Sequence, residues 1–201
     1  MAKPVRGLDF TEKMRKICES MTSKVAALQH IQMDRVAVGF TQTRSASQYG
    51  CYATLTPMRF ENGSLTTQRN GRLYTVQRVL DPQGREYLYI LRFYVPRFLN
   101  SDFRHKLVTT VHELLHISEK FDGDIRRFEG RCYAHSSSQK DYDAYAEQLA
   151  SFWLATDPPE ELYSFLHLNF AQLQERYGSL YGKQYPAPKL IRVQKDGPFG
   201  S

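Results

Sequence analysis

The chain is poor in cysteine. Cys18, Cys51 and Cys132 are its only three in 201 residues, too few and too widely spaced for a disulfide framework. That predicts reduced thiols in a cytoplasmic setting. Long apolar runs are also lacking. No stretch approaches the roughly 20 residues that a membrane-spanning helix needs. The opening MAKPVRGLDF has no apolar signal core, so a cytoplasmic protein without a membrane partner is expected. Internal repeats and low-complexity blocks are missing. A large excess of one charge is missing too: 27 basic against 21 acidic residues leave a net charge of +6. Arg and Lys are spread from end to end, so nucleic acid is permitted as a partner but only weakly supported.

What is present is ordinary globular material. Hydrophobic residues make up 41% and aromatic residues 13%, more than a solvated chain keeps in water. One domain over residues 1–185 is expected, followed by an extended or disordered tail over 186–201 that carries Pro186, Pro188 and the final GPFGS.

Periodicity divides the domain. Asp9 and Glu12 have capping-box spacing. Phe10, Met14, Ile17, Cys18, Met21, Val25 and Leu28 then recur at helical intervals, predicting a helix over about 10–30. Four strand candidates follow at 34–41, 52–60, 73–80 and 87–95. The last, YLYILRFYV, is the most apolar and so the central one. Glu61-Asn62-Gly63-Ser64, Asn70-Gly71 and Asp81-Pro82-Gln83-Gly84 are the turns between them. After Pro96 the period becomes helical. Asn100 or Ser101 can cap, and Phe103, Leu107, Val111, Leu114 and Phe121 form a stripe that predicts a helix ending at Asp122-Gly123. A loop of about 15 residues leads to a helix begun by Ser138 and Asp141, with Tyr142, Tyr145, Leu149, Phe152 and Trp153 as its apolar face. A last helix runs from Pro159 to Gly178.

The chemistry is concentrated in His112-Glu113-Leu114-Leu115-His116. On a helix, positions four apart are about 40° apart on the wheel and one turn apart along the axis. The two imidazoles can therefore bind one ion from one face, and neutral imidazole is a natural zinc ligand. Glu113 is turned away from that face as a ligand but stays close enough to take a proton from water at the ion. A third ligand is needed. His135, in the loop before the next helix, is preferred. Glu147 on that helix is the competitor, and Asp141 and Asp143 remain as further choices. His30, His105 and His167 have no partner ligands at useful spacing. Tyr133, Tyr142, Tyr145, Arg126 and Arg127 are candidates for stabilising an oxyanion, though packing or loop pairing with Asp122, Asp124 or Glu129 explains them equally well. Cys132 is read as an inert thiol.

The order strand YLYILRFYV, short linker from Pro96 to Asn100, helix with His112-Glu113-Leu114-Leu115-His116, loop and His135 resembles the SprT-like minimal zincins and phage-type metallopeptidases. The resemblance covers about 50 residues. It implies a third histidine after the loop, which supports His135. Ser136 stands where those proteins usually carry glycine, zinc-ribbon cysteine pairs are missing, and no H-x-x-G-x-x-H continuation of the metzincin type follows His116.

The expected fold is α+β, a minimal zincin-like domain. It has an N-terminal helix, a small twisted sheet of three to five strands packed on the motif helix, and two C-terminal helices. The expected function is peptide-bond hydrolysis with one zinc ion (Zn2+) held by His112, His116 and His135 and with Glu113 as general base. By analogy with zincins, the strand beside the motif helix would pair with an extended peptide or protein substrate. Two alternatives stand beside it: a nucleic-acid-associated protease of the SprT-like kind, and an inactive metal-holding scaffold, against which the presence of Glu113 argues.

Overall fold

The structure is a computed structural model and describes residues 7–43, 50–127 and 139–194. It is a mixed α+β fold. The strands are β1 (Leu8–Asp9), β2 (Val36–Gln42), β3 (Ala53–Pro57), β4 (Thr66–Arg69), β5 (Arg72–Val76), β6 (Tyr89–Val95), β7 (Leu180–Tyr181) and β8 (Leu190–Arg192). The helices are α1 (Phe10–Lys24), α2 (Arg97–Asn100), α3 (Phe103–Leu115), α4 (Gln139–Ala155), α5 (Glu160–Tyr163) and α6 (Phe170–Tyr177).

The central sheet has the order β2-β6-β3, with β2 parallel and β3 antiparallel to β6. As its apolar sequence predicts, β6 is the middle strand, and both of its faces are covered. Tyr89, Leu91, Phe93 and Val95 enter the main core with α1, α3 and α4, while Ile90 joins Ala37, Met58 and Tyr87 in a smaller cluster on the other side. The segment after α6 straps that second face: Lys183 accepts from the Phe40 amide, and Tyr185 accepts from Arg92 Nη2 at 2.7 Å.

Asp9 caps α1 by accepting from the Glu12 amide, and the helix lays its predicted stripe into the core. Phe10 is the hub, with its ring edge-to-face to Phe40, Phe93, Phe98 and Phe165 at centroid distances of 5.8–6.5 Å. Rings so arranged contribute beyond their buried area.

Several expectations are corrected. The motif helix is capped by Asp102, whose carboxylate accepts from the His105 amide, but it stops at Leu115 rather than at Asp122. Ile117 leaves the helix to bridge Ile125, and the Arg126 amide donates to the His116 carbonyl at 2.7 Å. Phe121 reaches the core by folding back against Tyr89 instead of continuing the helical stripe. Gly123 makes that return possible: its φ is +89°, and a Cβ there would lie 2.5 Å from Arg59 Cγ.

On α4 the buried stripe is Tyr142, Ala146, Ala150 and Trp153, while Tyr145 and Phe152 face solvent. Ala146 and Ala150 fill the stripe between the larger Tyr142 and Trp153. The last predicted helix is three pieces: α5, a 3₁₀ turn at Ser164–His167, and α6, which starts afresh at the Asn169–Gln172 capping box. A further sheet of order β4-β5-β8 was not expected in full. It takes Leu190–Arg192, from the segment expected as tail, as its edge strand on β5. No helix among the described residues is long and apolar enough to cross a membrane.

Candidate metal centre

The motif residues sit where α3 faces both α4 and the edge strand β3. Leu107, Val111, Leu114 and Leu115 anchor α3 in the core, which leaves His112, Glu113 and His116 on the half-exposed side. The two imidazole centroids are 4.9 Å apart with the rings at 80°. Each Nδ1 has a partner on α4. Asp143 Oδ1 lies 3.1 Å from His112 Nδ1, and the Tyr142 hydroxyl lies 3.4 Å from His116 Nδ1, its ring stacked on the imidazole at 5.4 Å. With Nδ1 of each ring engaged on α4, Nε2 is the nitrogen that could ligate an ion on both histidines. A carboxylate behind a histidine is the usual support of a zinc ligand. The donor set on α3 therefore fits two of the three protein ligands of a catalytic zinc site.

Glu113 lies between these histidines and β3. In the β3–β6 ladder, Tyr94 N–H donates to the Tyr52 carbonyl and Met58 N–H to the Leu88 carbonyl. Alternation in an antiparallel pair then turns the backbone groups of Ala53, Leu55 and Pro57 away from β6. The outward N–H of Leu55 meets the Glu113 carboxylate. Burial pushes that carboxyl up to about 7, and the Leu55 amide acts in the opposite sense. The strand next to the motif helix in sequence, β6, has both edges occupied. The sheet edge beside the helix belongs to β3.

His135 lies outside the described residues, as do Cys132, Tyr133 and Glu129. Among the described residues, no three His, Cys, Asp or Glu side chains stand close enough together to hold an ion. Glu147 is engaged by Arg104, whose Nε donates to Oε1 at 2.7 Å. Asp143 is placed behind His112, a position its sequence neighbourhood did not distinguish from that of a third ligand. The signal was available in part: Tyr142 and Asp143 open α4, the helix that must cover the motif.

The loop after the motif is tied down by its own charges. Arg127 makes two 2.9 Å bonds to Asp124, which also accepts from the Asn62 amide. Tyr89 Oη accepts from Gly123 N–H and donates to the Asp124 carbonyl, both at 2.9 Å. Arg126 pairs with Glu119 at 3.4 Å. His105 packs on Tyr52 and His167 on Phe103, at 4.6 and 3.9 Å between centroids, and so both serve packing.

Comparison of the chain with family models, with curated proteins and with solved structures finds no match. The chemistry of the centre has to be read from its own residues.

Proposed function

We propose that the protein is a zinc-dependent metallopeptidase with a zincin-like centre, in which His112, His116 and His135 hold the ion and Glu113 is the general base. The observation that carries this reading is the position of Glu113: a half-buried carboxyl between two oriented imidazoles and the outward amide of an edge strand. A zinc ion held there supplies Lewis acidity toward a peptide carbonyl and toward water. Glu113 accepts a proton from the attacking water and delivers it to the leaving amine. A carboxylate within reach of both the water and the leaving nitrogen can carry the proton between them. Asp143 holds His112, and Tyr142 holds His116, in the orientation that ligation needs. The outward carbonyls of Ala53 and Leu55 on β3 offer an extended peptide acceptors beside Glu113.

Glu113→Gln is the test. The amide keeps the size of the side chain but cannot accept the proton. The variant is expected to retain one zinc per chain and the wild-type melting temperature, and to lose about 10²–10⁴-fold in hydrolysis of a denatured protein or a peptide library. Equal hydrolysis by the two proteins would overturn the assignment of Glu113. Absence of zinc uptake by the wild type would overturn the metal centre itself. Nucleic-acid association, the second reading, draws support from a different part of the molecule.

A further inference from the structure

Folding brings two carboxylate-free basic stretches of the chain together. Residues 62–80 contain Arg69, Arg72 and Arg78 and no carboxylate, and residues 178–194 contain Lys183, Lys189 and Arg192 and no carboxylate. Those six cations equal the whole net excess of +6, since the other 21 basic residues are matched by 21 acidic ones. Residues 81–177 separate the two stretches in sequence. Pairing of β5 with β8 joins them, continued by the Gln77 amide to the Lys189 carbonyl and the Val193 amide to the Leu73 carbonyl.

Register sorts the side chains. Residues paired across an antiparallel ladder share a face. Arg69 pairs with Arg72, Thr67 with Tyr74, and Tyr74 with Arg192. Arg69, Arg72 and Arg192 therefore share one face, around the half-buried ring of Tyr74. Asn70-Gly71 closes the hairpin with φ of +49° and +70°, and nothing lies within 4 Å of a Cβ built on Gly71. The tip stands in solvent with an arginine on each flank. All three arginines and Lys189 are exposed, and none has a carboxylate at ion-pair distance among the described residues. Arg78, by contrast, is 3.7 Å from Glu86.

We propose that the β4–β5–β8 sheet is a nucleic-acid-docking surface, with Arg69, Arg72 and Arg192 binding the phosphodiester backbone around Tyr74. The charge is complementary to a polyanion. Arginine binds phosphate through two N–H groups at once, and an aromatic ring among cations gives a base a stacking platform. An anionic membrane fits less well. The two exposed apolar residues of β8, Leu190 and Ile191, are adjacent on a strand and so point to opposite faces, and no amphipathic face results. The proposal does not rest on the peptidase reading, because the sheet shares no residue with the motif.

The test is fluorescence anisotropy with labelled single-stranded and duplex DNA of about 20 units, at several salt concentrations between about 50 and 200 mM. Wild type and Glu113→Gln are expected to bind alike. The triple variant Arg69→Gln, Arg72→Gln, Arg192→Gln is expected to bind at least about tenfold more weakly, with the slope of log affinity against log salt reduced by about 3 on duplex. A charge-matched control, Lys16→Gln, Lys24→Gln, Arg176→Gln, removes the same charge from α1 and α6 and is expected to leave the slope unchanged. Preference for single strands would place base stacking on Tyr74, and Tyr74→Leu then weakens that arm alone. An equal effect of the control triple would overturn the proposal, as would failure of wild type to bind either DNA at the lowest salt. Binding to phosphatidylserine vesicles that neither DNA competes away would do the same. All the substitutions are at exposed or half-exposed positions, and unchanged thermal melts verify the fold.

Discussion

Tyr89 to Phe93 of β6 are all buried, whereas no residue of β4, β5 or β8 is. The two regions are both β-structure, and they meet charge differently. Where β6 and the motif helix are packed, buried charged side chains are held by backbone groups. Lys106 on α3, 1% exposed, gives its ammonium to the carbonyls of Leu166 and Leu168 at 2.7 and 3.0 Å. Arg92 reaches the Tyr185 carbonyl, and Glu113 meets the Leu55 amide. On the outer sheet the arginines remain in water. Burial creates perturbed, orientable groups of the kind chemistry needs. Exposure preserves full charge of the kind electrostatic docking needs.

The largest expected effect would sharpen this contrast. Phe93 packs edge-to-face on Phe10 and lies 4.7 Å from Phe98, so Phe93→Ala should destabilise the fold by about 3–5 kcal/mol. Tyr74→Leu, on the outer sheet, should cost less than about 1 kcal/mol. Denaturant titration compares the two. Hydrogen exchange gives the same contrast without mutation: β6 amides should exchange only on global unfolding, and β4 and β5 amides through local opening. Equal protection of the two regions would remove the distinction.

The next effect belongs to the metal centre. Asp143→Asn keeps a hydrogen-bonding group behind His112 but removes the negative charge. Loss of such support typically weakens metal binding by about 10–100-fold, and competition with a zinc-sensitive dye measures it. An unchanged affinity would reduce the 3.1 Å contact between Asp143 and His112 to a surface pairing.

Local signals were legible in the sequence wherever one residue type decides the outcome. Asp9 caps its helix, YLYILRFYV is the central strand, and the spacing of His112 and His116 puts both rings on one face, whereas the cap of the motif helix is Asp102 and not the expected Asn100 or Ser101. Signals that depend on distant pairing were not. The end of α3 is set by the Ile117–Ile125 bridge and by a Tyr89 hydroxyl that holds Gly123, neither of which periodicity can express. β8 exists only because β5 is there to receive it, so its three residues read as part of a tail. Asp143 was visible as an acidic residue near the motif, but its role depends on the angle at which α4 crosses α3. The third ligand position, His135, falls outside the described residues.

A pH dependence follows from Lys106. Burial lowers its pKa to about 8, with Asp102 acting weakly the other way. The folded value is thus below the unfolded value of 10.5. Between the two, the unfolded chain holds more protons, so stability rises with pH through that window and is flat below it. Lys106→Met keeps the aliphatic stem and removes the titration. At the upper end of the window the variant should be less stable by about 1–3 kcal/mol, because two buried carbonyls lose their donor. The gap should narrow as pH falls toward 8. Thermal melts of both proteins between about pH 7.5 and 9.5 stay below the range where tyrosines ionise. Parallel curves would show that Lys106 titrates normally.

The smallest expected effect concerns Arg104 and Glu147, and it separates structural charge from ligating charge on α4. Their 2.7 Å contact bridges α3 and α4, yet both side chains are more than half exposed. Arg104 Nη2 also reaches Ser151 at 3.2 Å. An exposed pair loses most of its attraction to solvent screening, and a double-mutant cycle over Arg104→Ala and Glu147→Ala should give a coupling of about 0.2–1 kcal/mol that shrinks as salt is added. Neither variant should change the zinc stoichiometry, because the carboxylate of Glu147 is directed at Arg104. If Glu147→Ala empties the site while Arg104→Ala does not, the carboxylate must leave its arginine when the ion binds. A two-histidine, one-glutamate centre would then replace the three-histidine one.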